Sequence, residues 1–115
     1  MSDRGRVGIL VSGRGSNMTA LVTAMRSGLI HADPAVVIAN VPGAAALARA
    51  EVWGIPAETL DHRQFKGRQA HERAVVEVLR RHKVDLVCLA GYMRLLSPFL
   101  VAEFRERILN IHPAL

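Results

Sequence analysis

The tetrapeptide Asn110-Ile111-His112-Pro113 carries the residues of this chain that are best suited to chemistry. If the segment from Ile108 forms a strand that Pro113 ends, side chains two apart leave the same face, so Asn110 and His112 point together while Ile111 turns into the core. A carboxamide donates hydrogen bonds and an imidazole exchanges protons, and both abilities serve acyl transfer. A buried polar pair that closes a strand would show the same pattern.

Strands and helices alternate along the chain and would position this pair. Apolar runs predict strands over residues 7–12, 35–39, 56–60, 86–89 and 108–112. Apolar residues at helical spacing predict helices over 17–27, 44–52 and 69–82, and a last helix capped by Ser97-Pro98. The third helix has its predicted apolar face at Ala70, Ala74, Val75, Val78 and Leu79.

Strands that are apolar along most of their length favour a parallel sheet covered on both faces. We therefore predict an α/β fold, a Rossmann-like parallel sheet with helices on both faces, formed by a single domain over residues 1–115. Sheets of this type bind ligands at the carboxyl ends of their strands. The chain stops directly after its last strand with nothing to cover the new edge, so we expect the complete protein to continue beyond Leu115.

The composition favours an anionic partner. Half of the residues are apolar, enough for a real core, and the formal net charge of +5 favours phosphate, a polyanion or an acidic cofactor tail without choosing between them. Aromatic residues make up only 4% of the chain, which argues against a stacking surface for nucleic acid. No apolar run approaches the ~20 residues of a membrane span, and the one cysteine, Cys88, lies in an apolar run. We expect a soluble, cytoplasmic protein with small-molecule substrates.

The loop from Ser12 to Asn17, Ser-Gly-Arg-Gly-Ser-Asn, joins the first strand to the first helix. Its glycines let the backbone turn sharply and approach a ligand, and the free N–H groups of the helix favour an anion, so the loop predicts a phosphate cradle. A dinucleotide fingerprint is disfavoured because Met18 stands where a third small residue is needed and Ala39-Asn40-Val41 lacks an acidic residue. A plain tight turn, with Ser16 or Asn17 capping the helix, is the alternative.

A second loop, from Gly91 to Pro98, follows the fourth predicted strand and combines an aromatic residue, a cation and two leucines. Such a segment can wall a flat heterocycle, although Met93, Leu95 and Leu96 would equally serve as core residues over the next helix. Arg68 just precedes a helix, where the dipole does not favour a cation, which hints at some other use; a plain surface arginine is the alternative.

No metal site is predicted. The residues His31, His62, His71 and His82 have no second ligand at metal spacing, and we expect them to be solvated.

Taken together, Ser12 to Asn17, the segment Leu89 to Ser97 and Leu109-Asn110-Ile111-His112-Pro113 closely resemble the phosphoribosylglycinamide formyltransferases, folate-dependent enzymes of purine synthesis. The likeness runs from Val7 to Leu115. Methionyl-tRNA formyltransferases share the Asn-x-His-Pro segment but carry a different first loop, so the Gly-Arg-Gly-Ser-Asn sequence selects the glycinamide ribonucleotide branch.

The resemblance implies a formyl transfer from 10-formyltetrahydrofolate to the amine of 5-phosphoribosylglycinamide. Gly15, Ser16 and Asn17 would hold the substrate phosphate. Contacts to the folate would come from Arg68, Met93, Arg94, Leu95, Leu96 and Asn110. Asn110 and His112 would be catalytic.

One departure from the family concerns an aspartate beyond the Asn-x-His-Pro strand, which in members orients the histidine. That residue and the later strands are not among these residues, so we expect the chain as given to lack formyltransferase activity while keeping its phosphate loop. Two other interpretations remain open at this point: a phosphate- or nucleotide-binding module without catalysis, and a related formyl-transfer or formyl-hydrolysis enzyme.

Overall fold

The computed structural model describes residues 4–111, and over this range it forms a parallel five-stranded sheet in the order β3-β2-β1-β4-β5. The strands are β1 (Gly5–Val11), β2 (Ala32–Ala39), β3 (Ala57–Thr59), β4 (Leu86–Ala90) and β5 (Ile108–Ile111). The helices are α1 (Ser16–Arg26), α2 (Ala45–Val52), α3 (Arg68–Arg81) and α4 (Pro98–Glu103), with a short 3₁₀ turn at His62–Gln64. Every neighbouring pair of strands runs parallel, which confirms the predicted fold class.

Two apolar layers hold the helices on opposite faces of the sheet, as predicted. Residues alternate along the strands, so Ile9 faces one layer and Leu10 the other. The first layer packs α1 and α2 through Met18, Leu21, Val22, Met25, Ala46 and Ala50. The second layer packs α3 and α4 through Val75, Val76, Val78, Leu79, Leu100 and Phe104.

The strand order reverses between β1 and β4. From β1 the chain builds outward to β2 and β3, and then it crosses over to add β4 and β5 on the other side. Loops that leave the carboxyl ends of β1 and β4 diverge at such a switch point, which is where open α/β sheets form a ligand crevice.

The predicted boundaries differ most at β2, which begins at Ala32 rather than at residue 35. Pro34 lies inside the strand, opposite a register shift between Val7 and Gly8 of β1. A proline cannot donate a ladder hydrogen bond, and a bulge is one of the few places where a strand accepts it.

The apolar face of α3 also differs from the prediction. Ala70 and Ala74 are only half-buried, whereas His71 and Glu72 join the buried stripe. The buried face of α3 therefore includes two polar side chains that the apolar periodicity alone would place in solvent.

Cys88 is buried, as expected from its apolar surroundings, and burial raises the pKa of its thiol to about 11. Among residues 4–111, no helix has the length and apolar character of a membrane span.

Gly8 lies in β1 against Leu79 of α3, and we expect Gly8→Ala to destabilise the fold by about 1–3 kcal/mol. A Cβ at this position would lie 2.5 Å from Cδ2 of the fully buried Leu79 and 3.1 Å from Cγ2 of Val84. Urea unfolding measures the effect. The matched control is Gly5→Ala in the same strand, where an added Cβ meets no atom within 4 Å. Equal free energies of unfolding for the two variants would contradict this packing.

Candidate active site

Three segments meet at the carboxyl edge of the sheet: the loop after β1, the loop after β4 and the end of β5. The backbone N–H of Met93, after β4, donates to Oγ of Ser12 at 2.8 Å. Nδ2 of Asn17, in the first turn of α1, donates to the carbonyl of Ile111 at 3.4 Å. The structure thus brings the predicted phosphate loop beside both other segments.

The phosphate loop is shaped by Gly15, which caps α1 with φ +83°. A side chain there is excluded by space as well as by conformation, because an added Cβ would lie 2.8 Å from Cβ of Ala46. The same close approach is held by a hydrogen bond from the Ala46 N–H to the Gly13 carbonyl at 3.3 Å. The loop is therefore fitted tightly against the start of α2.

The first turn of α1 presents free backbone donors. Thr19 makes the first bond of the helix, its N–H donating to the Gly15 carbonyl at 2.8 Å, so the N–H groups of residues 16–18 have no partner within the helix. No side chain caps this end, and the first turn holds no acidic residue. The alternative in which Ser16 or Asn17 caps the helix is wrong, because Gly15 is the cap and Asn17 reaches β5 instead. This geometry suits an anion.

The loop after β4 exposes two large apolar side chains. Met93 is 82% exposed and Leu95 81% exposed, so neither is a core residue. Tyr92 and Leu96, on either side of this segment, pack against the apolar layer under α3 and α4. Burial, with a smaller contribution from the nearby Glu72 carboxylate, raises the pKa of Tyr92 to about 12. The core alternative therefore holds for Leu96 and fails for Met93 and Leu95.

Glu72 anchors the far end of this loop. The side chain is 3% exposed, and its carboxylate accepts hydrogen bonds from the backbone N–H of Ser97 at 2.9 Å and from the Ser97 hydroxyl. The predicted cap by Ser97 is thus half right: Ser97 is the N-cap residue of α4, but its hydroxyl serves Glu72 rather than the helix. Charge-assisted bonds of this kind fix a loop firmly.

Arg68 is the first residue of α3 and is exposed. It stands four residues before Glu72, so the two side chains share one side of the helix. Arg68 therefore lies on the side of α3 from which Glu72 contacts Ser97, at the far end of the loop that carries Met93 to Leu96. The half-buried Arg94 adds a second cation to the same region.

Asn110 is exposed on β5, where its Cα pairs with Leu89 of β4. The next residue, Ile111, packs against the first apolar layer, so Asn110 points to the other face, as the strand alternation predicts. His112 lies outside the described residues, and its pairing with Asn110 stays a prediction.

The expectation that all histidines are solvated is wrong for His71, which is 2% exposed. Its Nε2 lies 2.7 Å from the Leu60 carbonyl, which can only accept, so Nε2 carries the proton. Phe65 packs edge-on against the ring at 5.3 Å between centroids. Burial lowers the pKa of His71, outweighing the hydrogen bond to Leu60, which raises it.

The lowered pKa of His71 predicts a pH-dependent stability. Below the ordinary pKa of about 6.5 the unfolded chain binds a proton that the folded chain resists, so stability is complete above that pH and is lost as the pH falls. One such histidine changes the free energy of unfolding by at most about 1.4 kcal/mol per pH unit. We expect His71→Gln, which keeps a donor for Leu60 but does not titrate, to flatten the dependence. Urea unfolding from pH 7.5 to 5 measures this, with the exposed His31→Gln as control; identical profiles for His71→Gln and the unmodified chain would contradict it.

Three residues at this edge were missed as site residues. Ser12 was included only as the start of a loop, Asn40, 3% exposed, was noted only for lacking a charge, and Glu72 was not singled out. Their partners lie far along the chain, so spacing gives no signal except that Glu72 stands three residues before Val75 on the buried stripe. Within residues 4–111, no group of three His, Cys, Asp or Glu side chains is placed to hold a metal.

A cavity of about 470 Å³ lies beside α2 and β3. Four of its nine lining residues are alanines, and Glu51 is the ionisable one. The convergent polar groups that mark a binding site are found at the carboxyl edge instead.

Comparison with known proteins agrees with this geometry. Residues 5–115 match the family model described as formyl transferase. The solved glycinamide ribonucleotide transformylase 1 of Symbiobacterium toebii is 42% identical and superimposes with a TM-score of 0.93, covering 100% of this chain and 54% of that one. The trifunctional purine biosynthetic protein adenosine-3 of Drosophila melanogaster is 46% identical over 97% of this chain, and the phosphoribosylglycinamide formyltransferase of Bacillus subtilis is 37% identical over 93%.

This chain spans 55% of the length of the Bacillus subtilis relative and 8% of the Drosophila protein. Within that span, the family match covers all five strands, the loop after β1 and the loop after β4. The chain belongs to the formyl transferase family.

Proposed function

We propose that this chain supplies the substrate-binding edge of a phosphoribosylglycinamide formyltransferase. In this reaction 10-formyltetrahydrofolate gives its formyl group to the amine of 5-phosphoribosylglycinamide, a step of de novo purine (IMP) synthesis that we assign to the cytoplasm. The observation that carries the proposal is a pair of contacts, Met93 to Ser12 and Asn17 to Ile111. They join the phosphate loop, the loop after β4 and the end of β5 at one edge of the sheet.

The substrate phosphate would lie on the first turn of α1. The backbone donors of Gly15, Ser16 and Asn17 point out of the helix end, and the helix dipole favours a negative charge there. The glycinamide arm would then extend from this seat toward the end of β5, because Asn17 already contacts Ile111, the residue after Asn110.

The formyl-folate would lie along the loop after β4. The exposed Met93 and Leu95 offer apolar contact to a flat ring, and Leu96 supports the loop from the core. Arg68 and Arg94 supply positive charge for the acidic tail of a folate. Asn110 stands at the junction of the two ligands.

The chemistry needs a donor at the reacting carbonyl. The glycinamide nitrogen attacks the formyl carbon, a carbon–nitrogen bond forms and the carbonyl oxygen gains a negative charge. The amide of Asn110 donates a hydrogen bond to that oxyanion. His112 would pass the proton that leaves the attacking nitrogen toward the folate nitrogen, whose bond to the formyl carbon then breaks.

The rival interpretations predict different ligands. A phosphate-binding module without catalysis would bind ribose 5-phosphate but no folate, and an enzyme with another acceptor would bind formyl-folate but prefer a different amine or water. A thermal-shift series on the chain with each ligand alone distinguishes the proposed function from the first rival. An acceptor panel separates the second.

The test of the proposed function is formyl transfer in a hybrid, in which residues 1–115 are followed by the C-terminal half of the Bacillus subtilis relative, since the chain spans 55% of that protein. We expect release of tetrahydrofolate that depends on 5-phosphoribosylglycinamide. Folate release without that amine, or transfer to another amine only, would contradict the assignment.

A further inference from the structure

The hydroxyl of Ser12 lies between the two ligand loops at the point where the strand order reverses. It accepts a hydrogen bond from the Met93 N–H at 2.8 Å and donates one to Oδ1 of Asn40 at 2.6 Å. Ser12 directly follows β1 and begins the phosphate loop, whereas Met93 begins the exposed part of the second loop. One side chain thus joins two segments that are 81 residues apart in sequence.

Asn40 holds this hydroxyl in place. The residue is 3% exposed, and its backbone N–H donates to the Val11 carbonyl at 3.3 Å. Nδ1 of His62 lies 3.1 Å from the Asn40 carbonyl and 3.3 Å from its Nδ2, so either tautomer of the imidazole bonds to Asn40. Because Asn40 is held in place, the Ser12 hydroxyl proton points to Oδ1 of Asn40. A lone pair of the Ser12 oxygen is then left to accept the hydrogen bond from the Met93 N–H.

The second loop has few other attachments. Its far end is held by Glu72 through Ser97, and among the hydrogen bonds of residues 4–111 none involves the backbone of Arg94, Leu95 or Leu96. The position of this three-residue stretch is therefore set by its two ends and by the packing of Leu96 against the apolar layer. Ser12 controls the end that is connected to the phosphate loop.

We propose that Ser12 is a positioning residue that couples occupancy of the phosphate loop to the geometry of the loop carrying Met93 to Leu96. An anion on the first turn of α1 would fix residues 13–17, and the Ser12 hydroxyl would transmit that order to Met93. By linkage, a ligand on the second loop then strengthens anion binding by the same factor. The coupling rests on the proposed function for its phosphate seat, but it requires no formyl transfer.

The test is NMR of the ¹⁵N-labelled chain, free and titrated with ribose 5-phosphate, with inorganic phosphate as a second probe. In the unmodified chain we expect the anion to shift amides at residues 13–17 and also at 93–95. In Ser12→Ala the shifts should be confined to residues 13–17, and exchange of the Met93 amide should quicken by about 5- to 10-fold, the equivalent of one net hydrogen bond. Ser12→Thr, which keeps the hydroxyl, should behave as the unmodified chain.

Amides of the buried strand β1, such as Ile9, report on the fold and should exchange at an unchanged rate in Ser12→Ala. Faster exchange at Ile9 and Met93 alike would make Ser12 merely structural and overturn the coupling. A shift at residues 13–17 with no response at 93–95 in the unmodified chain would overturn the coupling alone. No shift at residues 13–17 with either anion would overturn the phosphate seat, and the coupling with it.

Discussion

Asn110→Ala lowers turnover by about 10²- to 10³-fold while leaving the KM of both substrates little changed, if the carboxamide stabilises the oxyanion. The effect falls on turnover because this hydrogen bond forms with charge that develops only in the transition state. Asn110 is exposed on β5, so its removal leaves no buried group unpaired and the fold intact. Formyl transfer by the hybrid protein measures the loss.

Leu109→Ala is the matched control for Asn110→Ala. Leu109 is the preceding residue of β5, is 51% exposed and points to the opposite face. Its truncation removes a side chain from the same short strand without touching the reaction, so turnover should stay near that of the unmodified hybrid. Near-normal turnover in Asn110→Ala, or an equal loss in both variants, would remove Asn110 from the mechanism.

Gly15→Ala is expected to weaken phosphate binding and to destabilise the chain by about 2–5 kcal/mol. A left-handed backbone costs an L residue about 1–2 kcal/mol, and forcing a Cβ into a packed contact costs about 1–3 kcal/mol. Both costs apply here, since φ is +83° and the added Cβ would lie 2.8 Å from that of Ala46. The backbone can relieve the clash only by moving the donors of the first turn of α1.

Gly13→Ala is the control in the same loop, because an added Cβ there meets no atom within 4 Å. Urea unfolding and calorimetric titration with ribose 5-phosphate measure both variants. We expect Gly15→Ala to weaken binding at least about tenfold, equivalent to 1.4 kcal/mol, and Gly13→Ala to keep most of it. Full affinity in Gly15→Ala would show that the anion does not lie on this turn.

The fold was predictable from sequence because its main signals are local. Each strand is a short apolar run, each helix has apolar residues at helical spacing, and their alternation leaves few topologies open. The start of β2 was missed because Pro34 argues against a strand, and only the bulge at Ala35 of β2, opposite Val7 and Gly8, explains how the sheet accepts it.

The candidate site was predictable only in part. The glycine loop and the exposed loop after β4 could be located because their residue types are unusual at strand ends. The burial of His71 and Glu72 could not, because their compensating partners, Leu60 and Ser97, lie on other segments. Periodicity places a histidine or glutamate in solvent unless its distant partner is known.

The most direct test of the shared edge is an NMR measurement of contacts between bound 5-phosphoribosylglycinamide and the chain. We expect nuclear Overhauser effects from the ribose C5′ protons to the amides of Ser16 and Asn17. We also expect them from the glycinamide methylene protons to the side-chain amide of Asn110. Contacts at α1 together with glycinamide contacts on a different surface would contradict it.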